Sequence, residues 1–188
     1  MKVLWFVCFL LTGYLPSYGY EFGLSPQEVE ASAKCNLFSD QVSLSFAERM
    51  KKEKQLYAIG MGGGGIGKPG ILRMLAITFE TNEGMDISRA RSLLVFCVEE
   101  FLKEINAKNE LKPYLTETPF KSKNIDITIL FKKKKPSEFV DPPFIATAYS
   151  DEDKIRYTIH TDDHLEFVKK ETYDEALEIL RQEKSRKQ

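Results

Sequence analysis

The chain is poor in the residues on which catalytic and cofactor sites are usually built. Of its 188 residues only two are histidine and three are cysteine. His160 and His164 bracket an acidic turn containing Asp162 and Asp163. Zinc sites draw on three or four well-placed ligands, whereas Asp and His commonly occupy tight turns for geometry and solubility, so no metal is expected there. No Gly-x-Ser-x-Gly elbow occurs, and Cys97 falls in an apolar helical stripe where a thiolate is disfavoured. Glu99, Glu100 and Glu104 lie on the polar side of the same stripe, near Lys103 and Lys108, and read as solubilising charge. No catalytic residue and no cofactor is expected. An excess of one charge sign is missing too. The formal net charge of −1 provides no basic field for nucleic acid. Internal repeats are absent, so the chain is not a solenoid.

Residues 1–19 read as an export signal. Lys2 supplies the positive start and Val3 to Thr12 the apolar core; Pro16 breaks any helix, and Ser17 and Gly19 place small residues three and one before a cut ahead of Tyr20. An apolar core of about ten residues is half of the roughly twenty that a spanning helix needs. Cys8 lies inside that core, behind Phe6 and Val7, which are not the small residues of a lipoprotein signal. The mature chain is therefore expected in the periplasm or outside the cell. Only Cys35 and Cys97 then remain, in a compartment that permits a disulfide; both lie in helical segments, where buried free thiols are the commoner outcome.

Residues 20–188 fit a single α+β domain, with a helical N-terminal part over 20–54. Ser25, Pro26 and Glu28 are a helix start, predicted to run to about Cys35; a second helix is expected from Asp40. Leu56 to Ile59 and Ile71 to Phe79 read as strands flanking a glycine tract. Apolar residues at Ile87, Ala90, Leu94, Cys97, Val98, Phe101 and Ile105 mark the clearest helix. Ile125, Ile127, Ile129 and Phe131 alternate as a half-buried strand does. Phe144 to Tyr149, Ile155 to His160 and Leu165 to Lys170 read as a meander of three strands, followed by a helix around Glu175 to Leu180 and a frayed tail from Arg181 to Gln188. The expected architecture is an antiparallel sheet of about four to six strands with helices on one face.

The tract Gly60-Met61-Gly62-Gly63-Gly64-Gly65-Ile66-Gly67-Lys68-Pro69-Gly70 has the spacing of a phosphate loop up to Lys68. It then fails: Pro69 has no hydroxyl for magnesium, and a strand rather than a helix follows. The tract reads as a flexible, hairpin-like connection, with an interaction loop at Gly60, Gly62, Gly63, Gly64, Gly65, Gly67 and Lys68 as the alternative. Lys132, Lys133, Lys134 and Lys135 end a strand and read as a solvated guard against edge pairing, or as a basic patch for an anionic membrane surface.

Several segments together resemble, in order and spacing, a family of small exported proteins from chlamydia-like intracellular bacteria. They are Leu56 to Gly65, Ala90 to Asn106, Lys112 to Leu115, Pro119 and Phe120 before Asn124 to Ile129, and Glu171 to Leu177. The resemblance implies a shared fold and an envelope or exported location, makes the glycine tract a family hallmark, and carries over no catalytic residue. The expected role is a non-enzymatic domain that binds a protein or envelope component. The alternative is a small-ligand-binding or hydrolytic enzyme with a site near Gly60 to Gly70.

Overall fold

The computed structural model describes residues 23–65, 67–134, 138–162 and 164–186. The export signal over 1–19, the cut before Tyr20 and Lys135 of the lysine run lie outside the described residues.

Helix α1 spans Pro26–Lys54. Its start is closed by reciprocal bonds: Ser25 Oγ accepts from the Glu28 N–H at 3.3 Å, and Glu28 accepts from the Ser25 N–H at 2.8 Å. The break expected after Cys35 does not occur, and one 29-residue helix stands where two were expected. Asn36 has a modest helix propensity, but the buried face runs unbroken through Cys35, Ser39, Val42, Phe46 and Met50, and packing outweighs that local preference. Gln55 ends the helix in the left-handed conformation at φ 54°.

Strands β1 (Tyr57–Gly64) and β2 (Met74–Thr81) pair antiparallel. Helix α2 (Ile87–Ala107) then crosses to β3 (Ile125–Phe131), which lies parallel to β2. β4 (Thr147–Asp151), β5 (Lys154–Thr161) and β6 (His164–Thr172) continue as an antiparallel meander, and α3 (Tyr173–Ser185) closes the chain. The sheet order is β1-β2-β3-β4-β5-β6. The α+β class therefore holds, with the sheet mixed rather than wholly antiparallel. A helical crossover returns the chain to the same end of the sheet, and only a parallel neighbour can be reached that way. α3 continues to Ser185, so the first residues of the stretch from Arg181, expected as a frayed tail, are helical. Thr172 and Glu175 cap its start, and Ser88 of α2 donates to Glu183 at 3.1 Å.

One sheet face carries Leu75, Ile77 and Phe79 of β2, Ile125, Ile127, Ile129 and Phe131 of β3, and Ile155 and Tyr157 of β5, all buried beneath the helices. Phe46 of α1 stacks on Phe101 of α2 with centroids 4.7 Å apart and meets Phe79 of β2 edge-on at 6.0 Å, so one aromatic cluster ties both long helices to the sheet. Arg49 reinforces this contact through Glu104 at 2.8 Å and Glu100 at 3.1 Å. The opposite face carries half-buried Ala76, Thr78, Glu80, Asp126, Thr128, Leu130, Tyr149 and Arg156. On it, burial and the neighbouring Asp151 carboxylate push the Asp126 carboxyl up.

Candidate interaction surface

Gly60 to Gly64, expected to form a flexible connection, are ordered as part of β1, and only Gly65, Gly67 and Gly70 of the named glycines belong to the turn toward β2. Pairing decides this: Gly60 opposes Thr78, Met61 Ile77, Gly62 Ala76, Gly63 Leu75 and Gly64 Met74, so β2 templates the glycines. Ile59 sits in a bulge between Ala58 and Gly60, which locally increases twist.

The glycines divide into two groups by what a side chain would meet. A Cβ at Gly65 would run into the Ile71 carbonyl oxygen, and one at Gly63 would lie 3.0 Å from both Leu72 and Leu75 side chains. Gly70, at φ +75°, lies so close to α1 that a Cβ would stand 2.9 Å from the Ala31 carbonyl carbon and the Ser32 nitrogen. Gly65 and Gly70 are thus required by the backbone around them, while Gly63 is a tight fit against two leucine side chains. At Gly62 and Gly64 a Cβ would meet nothing within 4 Å, and at Gly60 only Thr78 at 3.8 Å. Glycine weakens a strand by roughly 0.5–1 kcal/mol relative to alanine, and the fold contains no steric reason for that cost at Gly62 and Gly64. Strand glycines occur at bulges, at tight bends and where another backbone or a ligand approaches closely.

Among the described residues β1 pairs with β2 alone, and its other edge meets no further strand. Beside the bare glycines, Tyr57, Ile59 and Met61 are 45%, 54% and 46% exposed, so this edge presents apolar side chains together with unpaired backbone. Ile59 also lines a shallow groove on the open face with Glu80, Asn82, Leu130, Lys132, Lys133 and Lys134. The lysines are not equivalent. Lys132 lies 3.4 Å from the centroid of the Phe139 ring, which in turn stacks on His160, and Lys133 is held by Asp141 at 2.8 Å and Glu138 at 3.7 Å. Lys134 is exposed. A second shallow groove runs between α1 and the turn, lined by Ser32, Cys35 and Asn36 with Gly63, Gly65, Gly67, Lys68, Pro69 and Gly70. It contains no acid and no histidine.

Cys35 and Cys97 are both free and buried. Burial pushes both thiols up, Cys97 to about 12, and Cys97 Sγ packs 4.0 Å from Met50 Sδ. Among the described residues no three histidine, cysteine, aspartate or glutamate side chains stand together as metal ligands would.

A buried polar cluster escapes the sequence reading. Arg91 of α2 donates from Nε and Nη2 to the two Glu171 carboxylate oxygens of β6 at 2.7 and 3.1 Å; Tyr157 adds a bond of 2.6 Å, and Lys169 one of 2.9 Å. Burial alone would raise the Glu171 carboxyl, but these donors outweigh it and hold it below the ordinary glutamate range. Burial and the Glu171 carboxylate push the Tyr157 hydroxyl up. Both ends of the ion pair are under 7% exposed and neither lines a groove at the β1 edge, so the cluster joins α2 to β6 and β5 rather than facing a ligand. Its signal in the sequence is Arg91 following Ala90 inside the apolar stripe of α2, a place where a charge needs a buried partner.

No family model, curated protein or solved structure matches this chain. The functional reading therefore rests on the residues and their geometry.

Proposed function

We propose that the chain is an exported, non-enzymatic binding domain, and that its docking surface is the free edge of β1. An extended segment of a partner adds to the sheet as a further strand, with main-chain hydrogen bonds to β1 supplying affinity and the side chains that flank it supplying selectivity. The observation that carries this reading is the bare strip of Gly62 and Gly64, beside Gly60, on a strand that among the described residues has a neighbour on one side only and where the fold itself admits larger residues. Large side chains of an added strand find room over that strip, as aromatic residues do over strand glycines elsewhere. The export signal at residues 1–19 and the resemblance to exported proteins of chlamydia-like bacteria support a location in the envelope or beyond it.

An enzyme built around Gly60 to Gly70 would need a polar recess with a perturbed acid or histidine. The groove at the turn is shallow and lined by glycines, Ser32, Cys35, Asn36 and Lys68, which favours docking over catalysis.

The test is cross-linked capture from envelope extracts by the chain from Tyr20, compared with a chain carrying Gly62→Lys and Gly64→Lys. Both substitutions enter open space and leave the fold intact, while lysines on an edge strand oppose strand addition. A partner captured by the native chain, lost by the variant, and protecting the β1 amides from hydrogen exchange is the expected result. Equal capture by both chains would rule out the β1 edge.

A further inference from the structure

The strand that docks on β1 has a chemistry that can be read from what surrounds it, and this inference rests on the edge-docking reading above. β1 carries no charge over its eight residues, Tyr-Ala-Ile-Gly-Met-Gly-Gly-Gly. Its Tyr57 end is instead bordered by lysines on both sides of the sheet. On one side, the last turn of α1, separated from Tyr57 only by Gln55 and Leu56, carries Lys51, Lys52 and Lys54, all of them exposed. From the open face, Lys132, Lys133 and Lys134 line the groove that contains Ile59.

Neighbouring acids neutralise only part of this charge. Glu53 is drawn to Arg49 at 3.5 Å, and Lys133 is satisfied by Asp141 and Glu138. Glu80 is the one carboxylate lining the Ile59 groove. Lys51, Lys52 and Lys134, together with Lys54 and Lys132, which keep their charge over the Phe96 and Phe139 rings, are left as an excess of cations around the end of a neutral strand. The partial negative charge at the end of α1 offsets no more than about half a unit. A lysine-bearing segment entering here would meet like charge on both faces, and an acidic one would meet opposite charge.

We infer that the occupant of the β1 edge is an extended peptide segment carrying aspartate or glutamate where it passes Tyr57 and Ile59. The glycine strip receives its backbone, and the two lysine groups select its acidic end. Main-chain pairing alone accepts any sequence, so the lysines are what give this edge specificity.

The experiment is selection of a random twelve-residue peptide display library on the folded chain from Tyr20, with binding sites mapped by amide chemical-shift changes. The expected consensus is an extended run adjoining two or more acidic residues. Binding should shift the amides of Gly60 to Gly64 and weaken by roughly tenfold or more between low and high salt. The pair Lys132→Glu and Lys134→Glu and, separately, the pair Lys51→Glu and Lys52→Glu should each remove the acidic preference while keeping the β1 shifts. Peptides that shift β1 without an acidic excess would overturn the charge inference and leave edge docking standing. Peptides that bind elsewhere, or no enrichment at all, would overturn both. Shifts in β1 that grow with protein concentration without peptide, accompanied by a dimer in sedimentation, would assign the edge to a second copy and overturn the inference. Binding of anionic vesicles through Lys132 and Lys134 with β1 unmoved would assign the lysines to a lipid surface and do the same.

Discussion

The two edges of the sheet solve the same physical problem in opposite ways. β6 is a nine-residue edge with Leu165, Phe167 and Val168 exposed, yet it interleaves Glu166, Lys169 and Lys170 and breaks register opposite Tyr157 and Thr158. Charges and a bulge are the usual means of keeping a free strand from pairing with another chain. β6 is also anchored from behind, because Glu171 forms the buried ion pair with Arg91 of α2. β1 has a bulge at Ile59 but no charge, no buried ion pair and a run of glycines. Under the edge-docking proposal, the guarded strand is a surface to be avoided and the uncharged one a surface to be used. The exposed apolar residues are similar in kind on both, so apolar exposure alone does not make the difference; the backbone's accessibility and the placement of charge do.

The comparison breaks most sharply at the anchor of β6. Glu171→Ala leaves Arg91 buried without its partner and should cost about 3–5 kcal/mol, read as a lower midpoint in urea denaturation. The same pair sets a pH dependence. Because the Glu171 carboxyl is held below its ordinary value, the pairing contributes fully above about pH 4.3 and is lost as pH falls through the lowered native value. The stability difference between the native chain and Glu171→Gln should therefore shrink on acidification. An unchanged difference would place the stabilisation elsewhere.

The next largest effect lies in the turn that sets the register of β1. Gly65→Ala meets the Ile71 carbonyl and should cost about 2–3 kcal/mol by thermal melting. Gly62→Val and Gly64→Val should act in the reverse direction, each raising stability by about 0.5–1 kcal/mol, since a side chain with strong strand preference enters open space. A loss of stability at those two positions would mean that the fold does require glycine there, and would remove the main support for a docking role. The smallest change in stability is expected on the guarded edge. Lys170→Val is an exposed substitution worth less than about 0.5 kcal/mol, but it should raise self-association in sedimentation velocity by weakening the guard on β6.

Legibility in the sequence followed periodicity. The stripe from Ile87 to Ile105 and the alternation from Ile125 to Phe131 correspond closely to α2 and β3, because each buries one face against a single neighbouring layer. The C-terminal meander was readable for the same reason, with turn residues between strands of opposite direction. Periodicity was silent where local preference and packing disagree. Asn36 reads as a break, yet α1 passes through it because the apolar face on either side packs on one sheet. Gly60 to Gly64 read as a connection because glycine has no preference of its own, and only β2 alongside them makes a strand.

The sequence by itself determined the α+β class, the long amphipathic helix, the alternating strands and the scarcity of groups from which a catalytic centre is assembled. Tertiary structure decided which glycines meet neighbouring atoms and which face open space, that β2 and β3 run parallel, that Arg91 meets Glu171 eighty residues away, and that Lys132, Lys133 and Lys134 line a groove with Ile59 of β1. Patterns local to one element are carried by hydrophobic spacing, which a single chain displays. Steric room, strand neighbours and charge surroundings belong to pairs of segments, and they come into existence only when the sheet brings those segments together.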